Sequence, residues 1–255
     1  MIDDAFVETA IAAARAAEEI ITFYYQRQLN IELKADNTPV TVADKEAEQA
    51  IKQVVSAAFP EHGFLGEESG SERSYSDYIW LIDPIDGTKS FVREYPFFST
   101  QLALLHKGII IMGVSNAPVF GELAWAARGQ GAFLNNQSLQ VSRIDKVEDG
   151  ILSFGNIKTL LRNHPQQFAR LVELSNRTRG YGDFYHAHLL AAGKIDMVIE
   201  SDVNILDIAA LSLIVEEAGG RVTDLNGGII GLGSTSFVAT NSLLHQSLLE
   251  LLANE

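Results

Sequence analysis

Trp80-Leu81-Ile82-Asp83-Pro84-Ile85-Asp86-Gly87-Thr88 is the stretch from which the rest of the chain can be read. An apolar run suited to a buried strand ends in an acid, Pro84 stiffens the turn, and a second acid stands three positions on. Gly87 lets backbone come close to a ligand, and Thr88 can open a helix whose first N–H groups suit a phosphate. Such a turn aims Asp83 and Asp86 at one point. Two more acids occupy comparable places. Glu67 follows the short apolar run Phe64-Leu65, and Asp207 precedes Ile208-Ala209-Ala210-Leu211 in a helix closed by Glu216-Glu217-Ala218-Gly219-Gly220 and its capping glycine. Singly, each acid has an ordinary explanation as a helix cap, a loop residue or a dipole partner. Their recurrence at three separate places points to one shared carboxylate cluster.

Upstream, Phe6, Ile11, Ala14, Ile20, Ile21 and Tyr24 lie near helical spacing with Asp3 as N-cap, predicting a helix over about residues 4 to 28. A second helix is predicted after Thr41, with Ala47, Ile51, Val54, Val55 and Ala58 on one face and Pro60 beyond its end. From Tyr78 to Val141 short apolar runs predict strands at Ile79–Ile82, Ser99–Leu105, Ile109–Val114 and Glu122–Ala126. Tight connections follow at Lys107-Gly108 and Gly129-Gln130-Gly131. Beyond residue 146 strands at Ile151–Phe154, Met197–Ile199 and Phe237–Ala239 alternate with a helix through Phe168 and Leu171, one over Asp207–Ala218, and a last helix. There is no repeat or long linker, so the halves 1–145 and 146–255 are expected to form one compact unit.

The 255 residues are 47% hydrophobic, enough for a substantial core. A net charge of −14, from 33 acidic against 19 basic residues, argues against a grip on nucleic acid. An acidic protein that handles phosphate needs cations between the two. Without cysteine, disulfides, thiolate metal sites and cysteine nucleophiles are excluded. Met1-Ile2-Asp3-Asp4 lacks the positive charge of a secretory signal, and the most apolar run, Ile109-Ile110-Ile111-Met112, is too short to span a bilayer. A soluble cytoplasmic protein with no membrane contact is expected. His186 and His188, at i and i+2 on a predicted helix, face different ways and read as structural rather than as a metal pair.

These residues resemble the inositol monophosphatase family of metal-dependent phosphatases. The likeness runs along the chain through Thr41-Val42-Ala43-Asp44, Gly66-Glu67-Glu68, the Asp83–Thr88 signature, and the second signature from Asp207 through Glu216-Glu217-Ala218-Gly219-Gly220. It implies an α+β fold, a five-layer αβαβα sandwich, commonly dimeric, with the active site between its halves and most metal ligands in the first. By the same resemblance Glu67, Asp83, the Ile85 carbonyl, Asp86 and Asp207 would hold two or three magnesium ions, whose preference is for hard oxygens. Thr88, paired with Asp44, resembles the residue that orients the attacking water, with Glu67 sharing in catalysis, while Gly87 and Thr88 N–H groups would hold phosphate. The implied reaction is hydrolysis of a small-molecule phosphate ester.

Lys89-Ser90-Phe91 and Thr178-Arg179-Gly180-Tyr181-Gly182-Asp183-Phe184 look like the histidinol-phosphatase branch of the family. Asp183 and Glu200 would then meet the leaving group, and two carboxylates suit a cationic one. Inositol 1-phosphate, or a broad range of esters, is the alternative, because carboxylates also accept hydroxyl hydrogen bonds. A second phosphate would want a basic patch, and only Lys89, Arg93 and Arg179 are expected nearby. Leu206 stands where the family usually has Trp, which predicts a reshaped wall near the metals.

Overall fold

The computed structural model describes residues 2–27, 31–33 and 39–253. Helix α1 (Asp4–Tyr24) starts where the Asp3 carboxylate accepts from the Ala5 N–H at 3.0 Å. It stops short of residue 28 because Tyr25 turns extended and Gln26 takes φ 61°, which ends the helical ladder; residues 28–30 lie outside the described part. A short antiparallel pair, β1 (Ile31–Leu33) and β2 (Pro39–Thr41), leads into helix α2 (Val42–Ala58). A capping box opens α2: the Thr41 hydroxyl accepts from the Ala43 N–H at 3.1 Å, and the Asp44 carboxylate accepts from the Thr41 N–H at 2.7 Å. Ala58, predicted on the buried face, is exposed, while the acids Asp44 and Glu48 are buried beside Ala47, Ile51 and Val55.

The first sheet comprises β3 (Gly63–Gly66), β4 (Gly70–Glu72), β5 (Tyr78–Asp86), β6 (Ser99–His106), β7 (Ile109–Ala117), β8 (Glu122–Ala127), β9 (Gly131–Leu134) and β10 (Gln137–Ser138). Its order is β10-β9-β8-β7-β6-β5-β3-β4, antiparallel throughout except between β3 and β5. The predicted strands are present, but β5 runs past Ile82 to Asp86. Pairing with β6 resumes across a bulge, from Asp83 opposite Gln101 to Asp86 opposite Ser99, and the bulge accommodates Pro84, which has no N–H to donate. The Thr100 hydroxyl donates to the Pro84 carbonyl at 2.9 Å and fixes it. Lys107 and Gly108, at φ 51° and 80°, make the tight β6–β7 turn that matches the twist of the strands. After β5 comes a single turn of helix, α3 (Thr88–Phe91).

The second sheet has the order β12-β11-β13-β15-β14. Its elements are β11 (Ile151–Phe154), helices α4 (Ile157–Asn163) and α5 (Pro165–Leu174), β12 (Arg177–Arg179), α6 (Asp183–Ala191), β13 (Met197–Ser201), α7 (Ile205–Glu217), β14 (Arg221–Thr223), β15 (Ser236–Thr240) and α8 (His245–Ala253). Helix α7 begins two residues before Asp207 because Asn204 caps it, accepting from the Leu206 N–H at 2.7 Å.

Three cores define five layers. One joins α1 and α2 to one face of the first sheet, with Leu102 and Leu104 of β6 turned into it. A second gathers Ala103 and Leu105 from the other face of β6 with α6, α7 and one face of the second sheet. The third packs α5 and α8 on the far face, around Leu152, Met197, Ile199 and Val238. The strand period of two thus feeds successive β6 residues to different layers, and the order αβαβα follows. Helix α7 is apolar all round because both flanks are buried between sheets. No helix among the described residues is long and apolar enough to cross a membrane.

The central contact is tight where β7 crosses α7: a Cβ at Gly113 would lie 2.8 Å from the Ala210 Cα. Gly113→Ala is expected to destabilise the fold by about 1 to 3 kcal/mol, the usual cost of overpacking. Urea unfolding should show a lower midpoint with an unchanged slope, and a wild-type midpoint would mean that α7 shifts freely.

Candidate active site

Parallel pairing of β3 and β5 places Gly66 opposite Ile82, so the next residues, Glu67 and Asp83, emerge side by side. The Glu67 N–H donates to the Ile82 carbonyl at 3.0 Å and holds that arrangement. At the bulge Asp83 accepts from the Ile85 N–H at 3.0 Å, a local turn that swings Asp86 back toward it. Asp207 arrives from the other half as the third residue of α7, oriented by the Asn204 N–H at 2.8 Å and the Asn204 amide at 2.9 Å. Carboxylate oxygens of Asp83, Asp86 and Asp207 lie within 4.8 Å of one another. Glu67, Ile85, Gly87, Thr88, Asp183 and Glu200 line the same cavity of about 380 Å³. Asp44 sits just behind it.

Gly87 takes φ 91°, and a Cβ there would lie 2.5 Å from the Phe97 carbonyl oxygen, so only glycine fits. The turn presents Thr88, whose hydroxyl lies 3.1 Å from the Ile85 carbonyl and 3.3 Å from Asp44 Oδ1. Asp44 Oδ2 is already engaged by the Thr41 N–H and hydroxyl, at 2.7 and 2.6 Å, so the capping box aims Oδ1 at Thr88.

The chain matches the Inositol monophosphatase family model over residues 3–255. The chain belongs to the inositol monophosphatase family. A histidinol-phosphatase of Mycobacterium tuberculosis is 39% identical over 94% of this chain and 95% of that one. A protein named Nus factor SuhB, from Pasteurella multocida, is 40% identical over 90% and 89%. The solved structure of an inositol monophosphatase from Zymomonas mobilis superposes with a TM-score of 0.89 at 28% identity, covering 100% of both chains.

The family is metal-dependent, usually with magnesium, and the donors here fit such an ion. Burial first, and then the charges of Glu67, Asp86 and Asp207, push the Asp83 carboxyl well above the usual carboxylate range. Burial and then Asp207, followed by Asp183, do the same to Asp86. Burial raises Asp207 to about 6 against the pull of its Asn204 bonds. A cluster of hard oxygens that raise one another's pKa values is a demand for a cation. Among the described residues Lys89 is the one ammonium or guanidinium group in the lining, and Arg93 and Arg179, expected nearby, are not part of it.

Glu200 and Asp183 line the same cavity, near enough that their charges act on Asp86. Glu200 is buried and lies against Gly155 so closely that no Cβ could stand there; its oxygens make no hydrogen bond of good geometry, though the Ser201 N–H and the Asn156 amide approach them. Burial, then the Asp183 charge, raises its pKa well above the ordinary value. Asp183 keeps solvent access at φ 47°, and partial desolvation raises its carboxyl to about 6.

Leu206, which stands where the family usually has Trp, is not part of the cavity lining. It is packed in the central core, while Ile208 and Leu211 line the cavity, since helical periodicity puts them on the side of Asp207 and turns Leu206 away. Sequence reasoning also passed over Glu48. Its buried carboxylate accepts from the Glu68 N–H at 2.8 Å and the Ser69 N–H at 3.2 Å, which anchors the loop carrying Glu67. The signal was present: Asp44 and Glu48 share a helical stripe with Ile51 and Val55. Asn156, whose side chain donates to the Ser201 carbonyl at 2.6 Å, and His186 complete the lining without having been expected there.

Between its unfolded value of 3.8 and about 6, Asp207 binds its proton more tightly in the folded chain, so it lowers stability as pH rises through that window. In chelator the melting temperature is expected to fall from about pH 4 to about pH 6, and at pH 7.5 magnesium should restore it by mass action. Melting temperatures equal with and without magnesium at pH 7.5 would remove the metal from this cluster.

Proposed function

We propose that this chain is a magnesium-dependent phosphomonoesterase whose substrate is histidinol phosphate. The observation that carries the substrate assignment is the pair of carboxylates, Asp183 and Glu200, in the cavity lining, with neither Glu200 oxygen in a hydrogen bond of good geometry. A protonated amine and an imidazole supply donors that such a pair accepts. The relative named histidinol-phosphatase, matched nearly end to end, supports the same reading. Inositol 1-phosphate is the alternative, supported by the solved inositol monophosphatase of the same length and fold.

Glu67, Asp83, the Ile85 carbonyl, Asp86 and Asp207 would hold two or three magnesium ions, which when bound activate water and neutralise phosphate charge. The chain's own groups do the rest. Asp44 Oδ1 and the Ile85 carbonyl both face the Thr88 hydroxyl as acceptors. When the Thr88 hydroxyl donates its one hydrogen to Asp44, behind the cavity, an oxygen lone pair would be left to accept from a water and aim it at phosphorus. Glu67, beside Asp83, would share in orienting that water. The N–H groups of Gly87 and Thr88 would hold phosphate oxygens. A new P–O bond forms from water as the ester P–O bond breaks, and the departing oxygen takes a proton to leave as an alcohol and inorganic phosphate. We further assign the halves 1–145 and 146–255 to one catalytic unit, working in the cytoplasm as a homodimer.

Asp83→Asn is expected to lower phosphate release by at least about a thousandfold, since a metal clamp supplies several kcal/mol of transition-state stabilisation. Full activity of the wild type in chelator would overturn the metal reading.

Substrate choice is read from kcat/KM on histidinol phosphate and inositol 1-phosphate. The first is expected to be higher, and Asp183→Asn should cut it roughly tenfold more than the second, the worth of one charge-assisted contact. Equal losses would make Asp183 a support of the wall, and faster hydrolysis of inositol 1-phosphate would move the assignment to the alternative.

A further inference from the structure

His186 stands on α6, three residues after Asp183, and lines the cavity although its side chain is only 2% exposed. Phe237, the cross-strand neighbour of Glu200 on β15, lies nearly parallel to the imidazole, with 17° between planes and centroids 6.5 Å apart. The ring is therefore held with Nε2 facing Glu200 Oε2 at 3.6 Å. Its Nδ1 is buried without a partner; the Glu200 oxygens make no hydrogen bond of good geometry, although the Ser201 N–H and the Asn156 amide lie close enough to favour the charged carboxylate.

Burial drives the imidazole pKa down to about 3, so the ring is neutral and has a single N–H to place. A buried N–H with no acceptor is rarer and more costly than a bare acceptor, so the hydrogen belongs on Nε2 and Nδ1 carries the lone pair. That tautomer points an imidazole donor at the Glu200 carboxylate. At 3.6 Å the contact stops short of a hydrogen bond, and a small turn of the Glu200 side chain completes it.

We propose that His186 is a positioning residue for Glu200: its Nε2–H selects the carboxylate orientation that meets the leaving group and so sets substrate affinity. This rests on the reading above that Glu200 contacts the leaving group. A cavity with an apolar residue at position 186 would keep the phosphate chemistry and lose its hold on the alcohol portion of the substrate.

Three variants separate the donor from mere packing. The amide nitrogen of His186→Gln reaches the place of Nε2, that of His186→Asn reaches only the place of Nδ1, and His186→Leu fills space without a donor. With magnesium-loaded protein and histidinol phosphate, KM should rise about tenfold in His186→Asn and His186→Leu, with kcat changed far less. In His186→Gln it should stay within about threefold of wild type. A Gln variant as impaired as the Leu variant, or losses carried in kcat, would overturn the proposal. Nitrogen-15 NMR of the wild-type ring gives a check that needs no variant to fold: an Nε2–H tautomer is expected, and an Nδ1–H tautomer would overturn it. If wild type prefers inositol 1-phosphate, the substrate assignment alone fails. The same ordering of variants, read as KM for that ester, then decides the role of His186.

Discussion

Carboxylates gathered within one cavity repel one another, and they stay together only because the backbone leaves them nowhere else to go. Glu67 and Asp83 are fixed by the parallel register of β3 and β5, Asp86 by a bulge that Thr100 and the Asp83 carboxylate lock, and Asp207 by the cap of α7. Each acid stands at the end of a regular element, where the chain must turn and a side chain can reach beyond the sheet. The repulsion is then a reservoir that a divalent cation relieves, which is why an acidic protein can hold a phosphate ester at all.

That arrangement depends in turn on the seat of α7. The helix is clamped between two sheets, close enough to β7 that glycine is required at residue 113. Its N-terminus is thereby brought to the strand ends of the first sheet, and the site becomes a product of layer packing. Glu48 extends the same logic outward, since a buried carboxylate on α2 anchors the loop that presents Glu67.

The cavity has two chemically different ends. At one, Gly87, Thr88 and the acid cluster are suited to phosphate and its cations. At the other stand the carboxylates of Asp183 and Glu200, with the neutral His186 imidazole turned toward Glu200.

The strand-acid-turn of Asp83 to Thr88, the capping acid Asp3, and the apolar α7 were legible because their causes are local: periodicity, capping and the conformational freedom of glycine. The sandwich itself and the ligand set came from motif resemblance, and the comparisons bear out the family and the fold. What only the tertiary structure decided was which distant residues meet. The extension of β5 to Asp86 needs its partner strand, and the outward turn of Leu206 needs the helix phase set by Asn204. The burial of Glu48 and His186 needs layers contributed from elsewhere in the chain. A polar residue inside a helix looks the same in sequence whether it faces water or a cavity, and packing alone tells the two apart.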